Sequence, residues 1–272
     1  MLNHYRLNKR ETVRLSSFDP EDTASIGSKD DIREEFERLK EELQDEQEKL
    51  FASKTNGVLV LFQGMDCSGK DGVIKKVLAN LNPQGFRAES FKKPTTDEAA
   101  HDFLWRTHKV TPAKGYLTSF NRSYYEDVLI TRVHGLIDER EVKSRLKHIR
   151  HFEKLLQGSG IAVIKIFLHI SRDFQLNKIK DRLENPEKLW KFDPTDLEER
   201  RYWNDYQQAY EDAFAATGTK DCPWHIVPAN NRWFRDYLVL KIIVKAVRDL
   251  KLSYPKVDLD ASSLFNLEET QN

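Results

Sequence analysis

Gly64, Gly69 and Lys70 fall in the stretch GVLVLFQGMDCSGKDG, residues 57–72, at the spacing G-x-x-x-x-G-K. Glycines so placed let a turn wrap an anion in backbone N–H groups, and the lysine supplies a point charge. Gly64, Cys67, Ser68, Gly69, Lys70 and Asp71 therefore form a candidate phosphate cradle. Two of the residues in this stretch, Asp66 and Asp71, are acids, which a simple anion nest would exclude. Asp71 stands where a serine or threonine hydroxyl ordinarily reaches Mg2+, and as a side chain in the first helical turn it suits the helix dipole. Asp66 needs another reason. A carboxylate beside phosphates is tolerated when a cation lies between them, so Asp66 is a candidate metal anchor that can also orient an acceptor phosphate oxygen.

These residues must be held by an alternating scaffold. Strand-like runs occupy 57–64, 86–94, 116–122, 161–171 and 224–230, and helix-like segments fill 71–81, 96–109, 124–134, 138–157, 173–185, 195–216 and 232–251. Strands alternating with helices of this length imply a mainly parallel sheet covered on both faces. In such a sheet ligands collect at the carboxyl ends of the strands. The residues there are the cradle, then Lys92 and Lys93, then Asn121, Arg122, Glu126 and Asp127, then Arg172, Lys178 and Arg182. Lys178 and Arg182 are one helical turn apart and share a face. The third strand ends in Asn121 rather than in the aspartate that often serves as a second metal anchor.

Residues 30–53 read as a charged amphipathic helix whose sparse apolar positions predict one narrow stripe, packed on the body or on a partner subunit. Segment 172–203 is dense in charge of both signs and broken by proline, as a lid or a solvated helical hairpin would be. One domain is expected over residues 1–272, with an N-terminal arm and helix in 1–55 and a polar tail in 256–272. Lys plus Arg and Asp plus Glu both number 44, and this neutral balance argues against a general nucleic-acid binder. The cations on the rim are thus a local concentration, suited to a polyanion or a nucleotide. Two cysteines, no apolar leader and no long apolar run predict a protein of the cytoplasm that does not enter a membrane.

The ordered set GMDCSGKDG, FKKPT, DFLWRTH, FNRSYYEDV, RLENPEKLWKF and VPANNRWFRDYLV resembles the family-2 polyphosphate kinases, from about residue 18 to about 254. That resemblance implies a three-layer α/β P-loop kinase fold with a helical lid, preceded by the N-terminal helical extension. It also implies Mg2+-dependent, reversible phosphoryl transfer between inorganic polyphosphate and a nucleotide. Carried over by position, Asp66 and Lys70 are the catalytic pair of the loop, Arg122 clamps the transferring phosphoryl group and Arg182 is the lid arginine. Lys92, Lys93 and Arg106 join the cradle as phosphate-binding residues, and a homo-oligomer is expected. Members preferring diphosphates usually read F-D-R-S-x-Y-N-R where this chain reads FNRSYYED. The departure is similar to the subclass that phosphorylates mono- and diphosphates, adenine nucleotides above all, with guanine left open. It directs the second metal role to Glu126 and, less directly, to Asp127.

Other features have plainer readings. Trp203, Tyr206 and Tyr210 recur at helical spacing and are expected in the core. Trp105 and Trp190 are expected to pack rather than to stack on a base, and His148 and His151 share a helix face without the carboxylate or cysteine support of a metal site. Two alternatives stand beside the main reading: a nucleoside monophosphate kinase using ATP, and a non-catalytic polyanion-binding module. The second leaves Asp66 and Glu126 unexplained.

Overall fold

The computed structural model describes residues 1–7 and 13–256, so all but the first residue of the expected polar tail lies outside the described residues. Its strands are β1 (Arg6–Leu7), β2 (Gly57–Gln63), β3 (Phe86–Ser90), β4 (Leu117–Asn121), β5 (Ile161–His169) and β6 (Trp224–Pro228). The helices are α1 (Arg33–Ser53), α2 (Lys70–Leu78), α3 (Thr96–Ala99), α4 (Trp105–His108), α5 (Glu126–Val133), α6 (Glu139–Gly158), α7 (Arg172–Glu184), α8 (Thr195–Glu199), α9 (Trp203–Thr217) and α10 (Arg232–Arg248).

The sheet order is β1-β6-β5-β2-β4-β3. Every neighbouring pair is parallel except β1 with β6. β2 is buried along its whole length, as its unbroken apolar run requires of a central strand covered on both faces. β3 lies at one edge and no residue of it is fully buried: Arg87, Ala88 and Ser90 are exposed, Phe86 and Glu89 half-buried. After β2 the chain crosses to that edge, returns to fill β4 beside β2, and then passes to the other side for β5. Strand order therefore reverses at the carboxyl end of β2, where a crevice opens. The loop 64–70 sits at that point.

α1 carries Phe36, Leu39, Leu43 and Leu50 on one narrow buried stripe, and it packs on the body. Its outer acids reach α10: Lys241 Nζ donates to Glu35 at 2.8 Å and Arg248 to Glu42 at 3.1 Å.

Several expectations need correction at element ends. The strand expected over 86–94 stops at Ser90, because Lys92 and Lys93 leave the sheet and are exposed. The helix expected over 96–109 is two separate turns, α3 and α4, each of four residues. Thr95 starts α3 with a reciprocal capping box to Glu98, which fixes the chain's direction there. The helix expected over 195–216 is likewise broken, with a 3-10 turn at Arg200–Tyr202 between α8 and α9. β1 carries no strand-length pattern and was not expected; it is formed only by pairing with β6. In segment 172–203, Ser171 caps α7 through a bond from Phe174 N, and the extended Asn185 before Pro186 ends it.

Candidate active site

The loop after β2 is shaped by its glycines. Gly64 has φ +148° and Gly69 φ +89°, conformations that a side chain would strain. A Cβ at Gly69 would also run into the guanidinium of Arg235. That guanidinium, 4% exposed, pairs with Asp236 at 2.7 Å and donates to Ser68 O at 3.4 Å, so α10 supports the loop from beneath. Lys70 opens α2 and folds back, donating from Nζ to Gly64 O at 2.7 Å and Met65 O at 3.2 Å. Burial first, and the Arg122 charge second, lowers its pKa.

The end of β4 is registered to β2: Asn121 lies opposite Phe62, and Arg122 N donates to Phe62 O at 3.0 Å. Arg122 turns the chain with φ +62°. Its guanidinium then enters the space beside the loop, donating to Asp66 Oδ1 at 2.6 Å and standing 3.7 Å from Glu126 Oε2. Burial works against that charge, but Glu126 and Asp66 more than offset it and hold the Arg122 pKa above its ordinary value. Glu126 is fixed from its other side by Gln63 Nε2 at 3.1 Å. Asp66, Arg122 and Glu126, from three sequence stretches, thus face one small cavity together with Gly64, Gln175, Glu199, Tyr206 and Tyr210.

The other expected site residues are placed as follows. Asp71 accepts from Asn121 Nδ2 at 2.6 Å, so its carboxylate ties α2 to β4. Cys67 is half-buried in the loop and burial pushes its thiol up to about 11. Ser68 is buried. Lys92 and Lys93 are exposed beyond β3. Arg106 is not brought to the loop: its guanidinium donates to Lys92 O at 2.8 Å and Asp127 Oδ2 at 2.9 Å. Asp127 points away from Glu126 into that pair, which separates the two neighbouring acids. Both Arg106 and Asp127 line a different cavity, of about 810 Å3, shared with His101, His148 and His151. Arg182 donates to Asp196 at 2.7 Å and to Lys191 O at 3.2 Å, within its own segment. Burial first and Asp66 second push the Asp196 carboxyl up to about 6, against the pull of Arg182.

The segment 172–203 touches the loop through Gln175, whose Nε2 donates to Asp66 O at 3.1 Å while its Oε1 accepts from Arg200 at 3.0 Å. Glu199, at the end of α8, binds His134 at 2.9 Å and accepts from Tyr206 at 2.6 Å. A model of one protein family, Polyphosphate kinase 2, matches residues 26–255.

The chain belongs to the polyphosphate kinase 2 family.

An AMP/ADP-polyphosphate phosphotransferase of Meiothermus ruber is 44% identical over 94% of this chain and 96% of that protein. An ADP-polyphosphate phosphotransferase of Rhodopseudomonas palustris is 40% identical over 93% and 91%. The crystal structure of polyphosphate kinase 2 from Arthrobacter aurescens superposes with a TM-score of 0.92 at 39% identity, covering 97% of this chain and 95% of that one. The three-layer P-loop kinase fold and the phosphotransferase class follow from membership of this family.

A kinase family implies a divalent metal, and the donors around this loop fit a hard cation. Asp66 and Glu126 offer carboxylate oxygens, while burial keeps the Cys67 thiol of the same loop protonated. Among the described residues no group of three or more His, Cys, Asp or Glu could hold an ion by itself.

Within this polyphosphate kinase 2 chain, sequence reading missed Gln63, Gln175, Glu199, Tyr206, Tyr210 and Arg235. Trp203 and Tyr210 lie in the core and Tyr206 packs against it, as expected, and the two tyrosines also line the cavity at Asp66 and Glu126. Helical spacing tells that they share a face, not that the face meets the loop. Trp190 is a correction, since it is 78% exposed. Trp105 packs against His101 with ring centroids 3.8 Å apart. Gln63 ends the apolar strand β2 as a buried amide, and a polar residue there was the one available signal.

Proposed function

We propose that this chain transfers a phosphoryl group reversibly between inorganic polyphosphate and the adenine nucleotides AMP and ADP, in the presence of Mg2+. The observation that carries the reading is Arg122 set between Asp66 and Glu126 at the mouth of a glycine-lysine phosphate loop. A simple anion binder gains nothing from carboxylates there, whereas a transferase must hold the attacking and leaving oxygens in line with the phosphorus and offset the charge around them. The names of the relatives and the FNRSYYED motif support both acceptors.

In this reading the loop N–H groups and Lys70 hold the terminal phosphates of the donor chain. Asp66 orients the acceptor phosphate oxygen, which attacks the terminal phosphorus; the bridging P–O bond breaks, and the shortened chain leaves on its own oxygen. Arg122 spreads charge from the transferring group across a fixed guanidinium. Asp66 and Glu126 would hold Mg2+, which neutralises developing charge on the phosphates when bound. Arg182 and the segment 172–203, which is largely exposed and rests on the body at Gln175 and Ile179, close over the reacting groups and exclude water, as a lid does. The same reading treats the chain as one kinase domain in the cytoplasm, assembled as a homo-oligomer and independent of nucleic acid. Incubating the protein with Mg2+, polyphosphate and AMP or ADP, with ATP absent at the start, tests it. Formation of ADP or ATP supports the proposal. Product appearing only when ATP is supplied would instead identify an ATP-dependent monophosphate kinase.

A further inference from the structure

Lys165, in the middle of β5, is fully buried, and so is its partner Glu153 on α6. The Nζ to Oε2 distance is 2.7 Å, and Nζ also donates to Thr217 O at 2.9 Å. A buried ion pair is poor evidence for stability, because desolvating two charges offsets most of their attraction. Its geometry suggests a different use. The hydroxyls of Tyr124 and Tyr125 both donate to the remaining oxygen, Glu153 Oε1, at 3.0 and 2.8 Å. Tyr125 also stands 2.8 Å from Thr217 Oγ1, which accepts from Trp224 Nε1 at 3.0 Å.

These tyrosines, with Ser123, lie between Arg122 and Glu126 in the β4–α5 turn. Arg122 has φ +62°, a conformation that persists in a non-glycine residue when its surroundings over-determine it. Backbone bonds fix the ends of the turn, Arg122 N donating to Phe62 O and Glu126 N to Ser123 O, both at 3.0 Å, while its side-chain bonds are longer: Tyr125 N to Ser123 Oγ at 3.2 Å and Ser123 Oγ to Gln63 Oε1 at 3.4 Å. The middle of the turn is moored to the body by the pair of hydroxyls on one carboxylate oxygen, with that carboxylate held by Lys165 from behind.

We propose that Glu153, held by Lys165, is a positioning residue for phosphoryl transfer, mooring Tyr124 and Tyr125 so that Arg122 and Glu126 face Asp66. This rests on the function proposed above, and one arm of its test does not depend on turnover. The double variant Glu153→Leu/Lys165→Met removes the charges and the tyrosine acceptor. Glu153→Gln/Lys165→Met removes the charges but keeps an oxygen for the hydroxyls. We expect the leucine variant to lose kcat by at least about tenfold, with KM for polyphosphate within roughly threefold of the parent. The glutamine variant should retain kcat within roughly threefold of the parent. Amide hydrogen exchange over residues 122–126 should be at least about tenfold faster in the leucine variant only, whether or not the parent turns over polyphosphate. Tyr124→Phe/Tyr125→Phe, which keeps both rings, should behave like the leucine variant and decides the question if that variant does not fold. Equal kcat and equal exchange in the leucine and glutamine variants, or parental values in the phenylalanine variant, would overturn the proposal. Loss of folded protein without loss of kcat per folded molecule would show that the cluster serves stability alone.

Discussion

Arg122 donates to Asp66 Oδ1 at 2.6 Å from one guanidinium nitrogen, while the other lies 3.7 Å from Glu126 Oε2. A single cation therefore keeps two carboxylates, from the loop after β2 and the first turn of α5, facing the same space. In the function proposed above, substrate phosphates entering there would meet both a positive clamp and the two acids assigned to the metal.

Lys70→Ala and Asp66→Asn should both remove most turnover, with different signatures. Lys70 holds the loop closed through Gly64 O and Met65 O as well as offering charge. Its loss should raise KM for polyphosphate and lower kcat. Asp66→Asn should leave polyphosphate binding near the parent's while kcat falls by about a hundredfold or more, the order typical of one key electrostatic contact. Steady-state kinetics with varied polyphosphate separate the two, and near-parental kcat for Asp66→Asn would remove its assigned role.

Glu126→Asn should hurt kcat/KM for AMP more than for ADP. AMP offers one phosphate where ADP offers two, so its attacking oxygen needs different support if the base stays in place. The expected difference is at least about tenfold, or about 1.4 kcal/mol. Initial rates with both acceptors at saturating polyphosphate measure it; equal losses would leave Glu126 as a holder of Arg122 and nothing more.

Arg182→Ala should lower kcat by roughly tenfold to a thousandfold, as removal of an arginine acting on transition-state charge does. Because Arg182 is paired with Asp196 inside its own segment, the thermal midpoint should fall little. Matched loss of rate and of folded protein in a melt run on the same sample would mark the pair as structural.

Asp196 also predicts a pH signature. Its carboxyl is pushed up to about 6, so the folded chain holds this proton over a window where the unfolded chain has released it. Stability from this group is complete below the ordinary aspartate range and is lost as pH rises through about 6. Asp196→Asn should therefore flatten the decline of the thermal midpoint between about pH 4 and about pH 6. Parallel curves for parent and variant would contradict the raised pKa.

Gly69→Ala should destabilise by about 1–3 kcal/mol, from the positive φ together with the displaced Arg235 guanidinium. Polyphosphate binding should weaken as well, since the loop N–H groups move. Denaturant unfolding and a binding titration on one preparation test both parts.

What the sequence determined alone follows from local physics. Glycines at 64 and 69 specify a turn that few other residues adopt, and the unbroken apolar run of β2 specifies a central strand, so cradle and sheet were legible together. The narrow stripe of α1 was legible because its period is the helix's own. Only the tertiary structure decided which side of a turn each charge takes. Glu126 and Asp127 are adjacent in α5, yet one faces Asp66 and the other pairs with buried Arg106, because successive helical residues point about 100° apart. Arg106 was read as a phosphate ligand from its motif, but the way α4 packs beneath the β3 rim gives its guanidinium to Lys92 O and Asp127. Tyr206 and Tyr210 share a face that any amphipathic helix would show, and the packing of α9 beside the loop places that face against Gly64 and Asp66. Contacts such as Gln175 with Asp66, 109 residues apart, have no local periodicity or composition to announce them. They arise when the sheet brings the ends of β2, β4 and β5 together, and the register of those strands is what only the folded chain supplies.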